Sequence, residues 1–413
     1  MGEMTGRERV AAALNHEETD RIPIDFGGSR ITGIASIAYK ILLKYLGRDE
    51  DIQLYDIKQQ LAYPSIEMAR FMGGDVVQLT RLGPTTGMPF LMIDRWKEGA
   101  LTDDSPCLVP EEYDPVSLKD GTVEIHRDGK PFARRPGGSL YFDVITAPLK
   151  DANTPEDIDA YTWPDPWTER EEAFLASEIE RLYHGTDMAI FAGLPVYDCS
   201  FFEIGQTMFG FENLLMNFFL KRDMMEYWLD KVLEHHLETL EKFLQITGPY
   251  ICAIQLNDDF GAQDNMLIPP DLYRELIKPR QQRWIEFVKE RSEAKIFLHC
   301  DGAFSDILDD LIEIGVDILN PLQSGARDME PEKLKRRYGK HLSFWGGGVD
   351  TQSTLPFGSI DDIKNEVRER IRLLGKGGGY VFGTIHNIQS DISPEKIMTV
   401  FETAQKYGKF PIE

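Results

Sequence analysis

The chain has 413 residues, 42% of them hydrophobic and 28% charged, enough for one large α/β barrel with an insertion or for two domains. Its 69 acidic residues against 45 basic ones leave a formal net charge of −24, which repels phosphate backbones and anionic membranes and excludes nucleic acid as an expected partner. No run of about 18 apolar residues and no signal-peptide core is present, so no membrane partner is expected and the cytoplasm is the expected location.

The four cysteines, Cys107, Cys199, Cys252 and Cys300, form no CxxC pair, which suits a reducing compartment. Residues 5–16 predict a helix capped by Thr5 with Glu8 three positions on, its stripe of Val10, Ala13 and Leu14 plugging the bottom of a barrel. RIPIDFGG (21–28) is the first expected strand, with Asp25 near its end. Helical stretches over 34–46 and 58–72 lead to a second strand, GDVVQL (74–79). From 90 to 150 the rhythm changes to short alternating steps, with Asp128 and Gly129 as a hairpin signal, and a small antiparallel β insertion is expected inside the loop after that strand. MAIFAG (188–193) and ICAIQLNDDFG (251–261) are the third and fourth strands, separated by helices over 203–219 and 223–246. IFLH, DILN, LSFWG and YVFGT complete a count of eight, the pattern of an α/β TIM (β/α)8 barrel spanning 1–413 as one domain.

Chemistry concentrates where these strands break into Gly, Asn, Asp or His. Parallel strands joined by helices put their C-terminal ends on one face, so His299, Asp301, Asn320, Asp350 and His386 are expected to converge. Alternate side chains of a strand share a face, which pairs His299 with Asp301 and turns Cys300 away. Two imidazoles and a carboxylate with one position open make a catalytic zinc set; the alternatives are hydrogen-bonding histidines without metal, or Cys300 as the third ligand if the strand ends one residue early. After the fourth strand, Asn257, Asp258, Asp259 and Gln263 offer substrate contacts and paired carboxylates, of which Asp258 or Asp259 is expected to serve as a general acid; the alternative is that Asp259 or Asp264 caps the following loop. Asp25 and Asn320 are expected at the mouth, and Tyr197, Phe201 and Phe202 as an aromatic wall. Asp350 is expected to cap its own turn, and His235 and His236 to lie on a solvated helix, uninvolved.

TGRERVAAALNHEETDRIPIDFG, PDLYRELIKPR, LHCDG, GVDILNP, FWGGGVDTQSTLPFG and GGGYVFGTIHNIQSD together resemble the uroporphyrinogen decarboxylase superfamily, nearly end to end. That resemblance implies a TIM barrel with one of two chemistries: cofactor-free decarboxylation of a tetrapyrrole's acetate arms, or zinc-dependent methyl transfer to or from a corrinoid on a partner protein. The decarboxylases follow the first strand with an arginine-rich signature, MRQAGR; here IDFGGSRITG holds only Arg30, too few cations for a ligand with many carboxylates. The methyltransferase branch carries HxC at the fifth strand end and a Cys or His after the eighth, and this chain has HCD and His386, a match with one position altered.

The resemblance therefore implies methyl transfer between a small substrate, such as a methoxylated aromatic, and a corrinoid protein, with zinc on His299, Asp301 and His386 stabilising the heteroatom that loses its methyl group and Asp258 or Asp259 protonating it. No DxHxxG corrinoid-ligation motif occurs, so the corrinoid (cobalamin) has to arrive on the partner. Two other readings stay open: a decarboxylase that uses Asp25 or Asp258 on a protonated pyrrole, and a non-catalytic corrinoid-binding protein.

Overall fold

The computed structural model describes residues 2–83, 92–196 and 199–412. Seven short parallel strands form one curled sheet in chain order: β1 (Val76–Leu79), β2 (Ala189–Ala192), β3 (Ile251–Asn257), β4 (Lys295–His299), β5 (Ile318–Asn320), β6 (Ser343–Trp345) and β7 (Tyr380–Val381). The expected first strand is reduced to isolated bridges at Arg21 and Ile24. Ile24 pairs in parallel with Phe382, and its carbonyl accepts from Asp75 N–H at 2.8 Å, so the segment around it lies between the two outer strands of the sheet. The result is a mixed α/β, TIM-like fold with a polar mouth at the C-terminal strand ends.

Strand alternation sorts the side chains into two layers. Val76, Ala189, Phe191, Ala253, Phe297, Ile318, Trp345 and Val381 point inward into one cluster, which Val10 and Leu14 of α1 (Gly6–Leu14) close from below. Their chain neighbours Val77, Leu79, Ile190, Ile254, Leu256, Ile296, Leu298, Leu319 and Phe344 face the surrounding helices. Thr5 caps α1 through the reciprocal box with Glu8. Arg9 ties the plug down with bonds to Asp20 at 2.7 Å and Asp75 at 2.5 Å.

Between β1 and β2 the chain runs antiparallel: Trp96–Ala100 pairs with Pro106–Pro110, and Pro115–Ser117, Val123–Arg127, Lys130–Arg135 and Asp143–Val144 form a four-stranded sheet. Asp128 and Gly129 supply the left-handed turn, at φ 52° and 74°. A further three-stranded sheet unites Ile34–Ala35, Leu54–Asp56 and Leu61–Ala62, and it replaces most of the helix expected over 58–72. Pro64 bars its predecessor from helical geometry, so the helix starts only at Ile66, where Ser65 accepts from Met68 N–H at 3.0 Å. The expectation for His235 and His236 is also corrected, since the helix Arg222–Thr247 buries both, His235 beside Trp163 and His236 beside Phe201. No described helix is long and apolar enough to cross a membrane.

Candidate functional site

β4 ends on His299, and the chain turns sharply after Asp301 because the next residue crosses another loop. Gly302 has φ +82°, and a Cβ there would meet the Gly261 backbone at 2.4 Å, so only glycine fits this crossing. Its N–H donates to Gln323 Oε1 at 2.7 Å. The alternation that turns His299 and Asp301 inward sends Cys300 outward: the thiol is buried, accepts from Phe260 N–H at 3.4 Å, and is pushed well above its ordinary pKa by burial. His386 follows β7, on a loop held by Asn387, which accepts from Gly33 N–H and donates to Gln59, each at 2.7 Å.

One ligand atom from each of His299, Asp301 and His386 lies within 4.8 Å of the other two. The rings of the two histidines are 6.4 Å apart, and His299 Nε2 is 3.9 Å from Asp301 Oδ2. Asn320 sets the tautomer of His299. Its amide N–H is committed to the Trp345 carbonyl at 2.8 Å, so its Oδ1, 2.6 Å from His299 Nδ1, accepts the ring proton there and leaves the Nε2 lone pair facing Asp301. Burial, helped by His299 and Arg30 and opposed by Asp301, lowers the pKa of His386 and keeps it a neutral donor. A cavity of about 310 Å³ opens beside the group, lined by Tyr141, Asp301, Gln323, Asp350 and His386 among others.

The two adjacent carboxylates have opposite surroundings. Asp258 is fully buried: its Oδ1 accepts from Phe202 N–H at 2.6 Å and from Phe201 and Glu203, and its Oδ2 from Phe201 and from Gln281 at 3.0 Å. Burial pushes it up to about 7 against those four donors, but with both oxygens taken it anchors the start of the helix Glu203–Phe209 and has no edge left for a substrate. Asp259 instead turns to the mouth, where Oδ1 accepts from Asp301 N–H at 2.7 Å. Burial raises its pKa, as does the charge of Asp301, while His299 and Lys58 pull it down.

The other expected contacts scatter. Asp25 is buried, and burial raises it to about 6, against donors from Thr32 and Gly28 at 2.7 Å and Trp345 Nε1 at 2.8 Å. Asn257 is part-buried, donating to the Glu203 carboxylate. Gln263 is exposed and spans two loops through a bond to the Gly325 carbonyl at 2.6 Å. Asp350 accepts from Gln352 and Ser353 N–H in its own turn. Phe201 and Phe202 are wholly buried core, and Tyr197 lies outside the described residues. Sequence reasoning passed over Lys58, and also Gln78 and Gln255, two buried amides on inward positions of VVQLT and AIQLN. A polar residue at an inward position of an otherwise apolar strand was the available signal.

A family model described as Uroporphyrinogen decarboxylase (URO-D) matches residues 144–407. A methyltransferase from Methanosarcina mazei has a similar fold, with a TM-score of 0.60 and 16% identity over 98% of this chain and 99% of that one. A 7,8-dihydropteroate synthase from Vibrio fischeri ES114 aligns over 59% of this chain and 76% of its own, at 13% identity and a TM-score of 0.24. No curated protein matches the chain.

Proposed function

The chain belongs to the uroporphyrinogen decarboxylase family, and from that footing we propose that it is a zinc-dependent methyltransferase moving a methyl group between a small substrate, such as a methoxylated aromatic, and a corrinoid carried by a partner protein. The observation that carries the reading is the donor set: His299 Nε2 freed by Asn320, a neutral His386 and the Asp301 carboxylate, with ligand atoms within 4.8 Å of one another. Two nitrogens and one oxygen with an open fourth position fit zinc, and the same donors suit it better than a hard cation. Zinc bound there supplies Lewis acidity to the heteroatom that exchanges the methyl group. The fold shared with a methyltransferase over 98% of the chain is consistent with this branch of the family.

The protein's own residues do the rest. Asn320 orients His299 and keeps its proton off Nε2. Asp259, with a raised pKa and one oxygen bonded to Asp301 N–H, is assigned the proton for the departing heteroatom; Asp258 holds the neighbouring helix and the loop on which Asp259 sits. The cavity of about 310 Å³ suits a small molecule, and Arg30, paired with Asp56, offers little to a ligand bearing many carboxylates. We read 1–413 as one domain in which the strands of 90–150 are an insertion after the second barrel strand, with Tyr141 lent to the mouth.

Metal analysis of the purified protein, paired with transfer assays, tests the reading. Zinc should copurify, a Co(I) corrinoid should change colour on methylation by a methoxylated donor, and His386→Ala should abolish both while its unfolding midpoint stays near that of the wild type. A metal-free protein inert toward Co(I) corrinoid points instead to the decarboxylase.

A further inference from the structure

Gln78 on β1 and Gln255 on β3 are 3% and 2% exposed, yet among the described residues the Oε1 of Gln255 has no hydrogen-bond partner, and Gln78 has only the Tyr55 hydroxyl near its amide. Interiors rarely tolerate such atoms without an occupant that pairs with them. Between the two amides the inward position of the intervening segment is Gly193. A Cβ there would stand 3.5 Å from the Phe191 ring, 3.6 Å from Gln255 Oε1 and 3.7 Å from Gln78 Oε1, so the missing side chain leaves room for one methyl-sized group beside both oxygens.

The chemistry of the missing occupant is fixed by a relay. Glu203 is a carboxylate and only accepts, so Asn257 turns its Nδ2 to it and presents Oδ1 to Gln255. Gln255 must answer with Nε2, at 3.4 Å, and its Oε1 is therefore the atom directed at the gap. That oxygen needs a donor. Asn257 lies level with His299 on the adjacent strand, and Gln255 is two residues deeper, a descent of roughly 7 Å or about the length of a substituted ring.

We propose that the space over Gly193 is the far end of the substrate site, and that it takes a compact neutral methyl ether or methylamine carrying its own O–H or N–H at the end remote from the methyl group. The inference rests on the methyl-transfer reading for the position of the methyl group but not for the polar end. A carboxylate at that end would bring its charge against the two oxygens that flank Gly193, Gln255 Oε1 and Gln78 Oε1, and should bind more weakly.

Calorimetry on the zinc-loaded protein without corrinoid gives the test, with 4-methoxyphenol, 1,4-dimethoxybenzene and 4-methoxybenzoate as probes. The phenol should bind about tenfold or more tighter than the other two, the margin of one buried hydrogen bond. Gln255→Leu and Gly193→Ala should erase that preference; Gln255→Glu, which keeps an acceptor, should retain it. At its present backbone geometry an alanine at 193 meets only ordinary contacts, so that variant reports on the gap rather than on folding. Equal affinity for the three probes, tighter binding of the benzoate, a preference that survives Gln255→Leu, or no binding of any probe would overturn the proposal. Absence of methyl transfer with the preference intact would overturn only the catalytic reading.

Discussion

Asn320 Oδ1 sits 2.6 Å from Nδ1 of His299, and the other end of the same amide is tied to the Trp345 carbonyl, so a single side chain on β5 decides which imidazole nitrogen of β4 is free. Both residues are at matching register in adjacent strands, which makes the contact a product of the sheet itself. Asn320→Leu, close in volume but unable to bond either partner, should weaken zinc binding by about 10- to 100-fold, the usual effect of losing a partner of a metal-bound histidine. Competition with a chromophoric chelator measures this, and unchanged affinity would show that His299 needs no such orienter.

Asp258 and Asp259 should separate by the kind of damage they do. Asp258→Ala takes the acceptor from three backbone N–H groups at the start of a helix and from the Gln281 amide, and should cost about 3 kcal/mol of stability in urea denaturation. Asp259→Asn should unfold near the wild-type midpoint and lower kcat by about 10²- to 10⁴-fold, the range of a lost general acid. A stable Asp258→Ala protein with lowered kcat would reverse the assignment.

Cys300 and Asp301 should differ as sharply in metal binding. The thiol lies outside the group of ligand atoms and touches the Phe260 backbone, so Cys300→Ala should leave zinc stoichiometry unchanged and cost only a little stability. Asp301→Asn should release most of the zinc. If instead the cysteine variant loses metal, the strand end rearranges on loading.

How far this was legible in the amino-acid sequence depends on which interaction decides each element. Strand positions and the inward pairing of 299 with 301 follow from alternation, which is local and readable. The extent of the strand around Ile24 was not, because its pairing to Phe382 is set by how the sheet curls, and only isolated bridges at Arg21 and Ile24 survive. His235 and His236 looked solvated because the acidic residues beside them suggest an exposed face; their burial is decided by packing across the helix Arg222–Thr247. Nothing in the order DD tells which carboxylate caps a distant helix, since the backbone donors come from 201–203, more than fifty residues away in the chain. The amides of Gln78 and Gln255 stand out as polar breaks in apolar strands, but that they flank one glycine depends on the register of three strands.

The plug beneath the barrel should make the fold sensitive to acid. Burial alone would raise Asp20, but two bonds from Arg9 at 2.7 Å and the N–H groups of Met4 and Arg21 overcome it and hold the carboxyl at about 2, below its ordinary 3.8. Because the folded value is the lower one, the unfolded chain takes up the proton first as pH falls, so the stabilisation is complete above about pH 4 and is lost between about 4 and 2. At 18% side-chain exposure the ion pair is only weakly screened, and the contribution is about 2 kcal/mol. Asp20→Asn should therefore be less stable than the wild type by about that amount at pH 6, and the gap should close as pH falls toward 2. Urea denaturation of both proteins across that range measures it, and a difference independent of pH would mean that Asp20 holds the plug through hydrogen bonds that asparagine replaces equally badly at every pH, with no contribution from its charge.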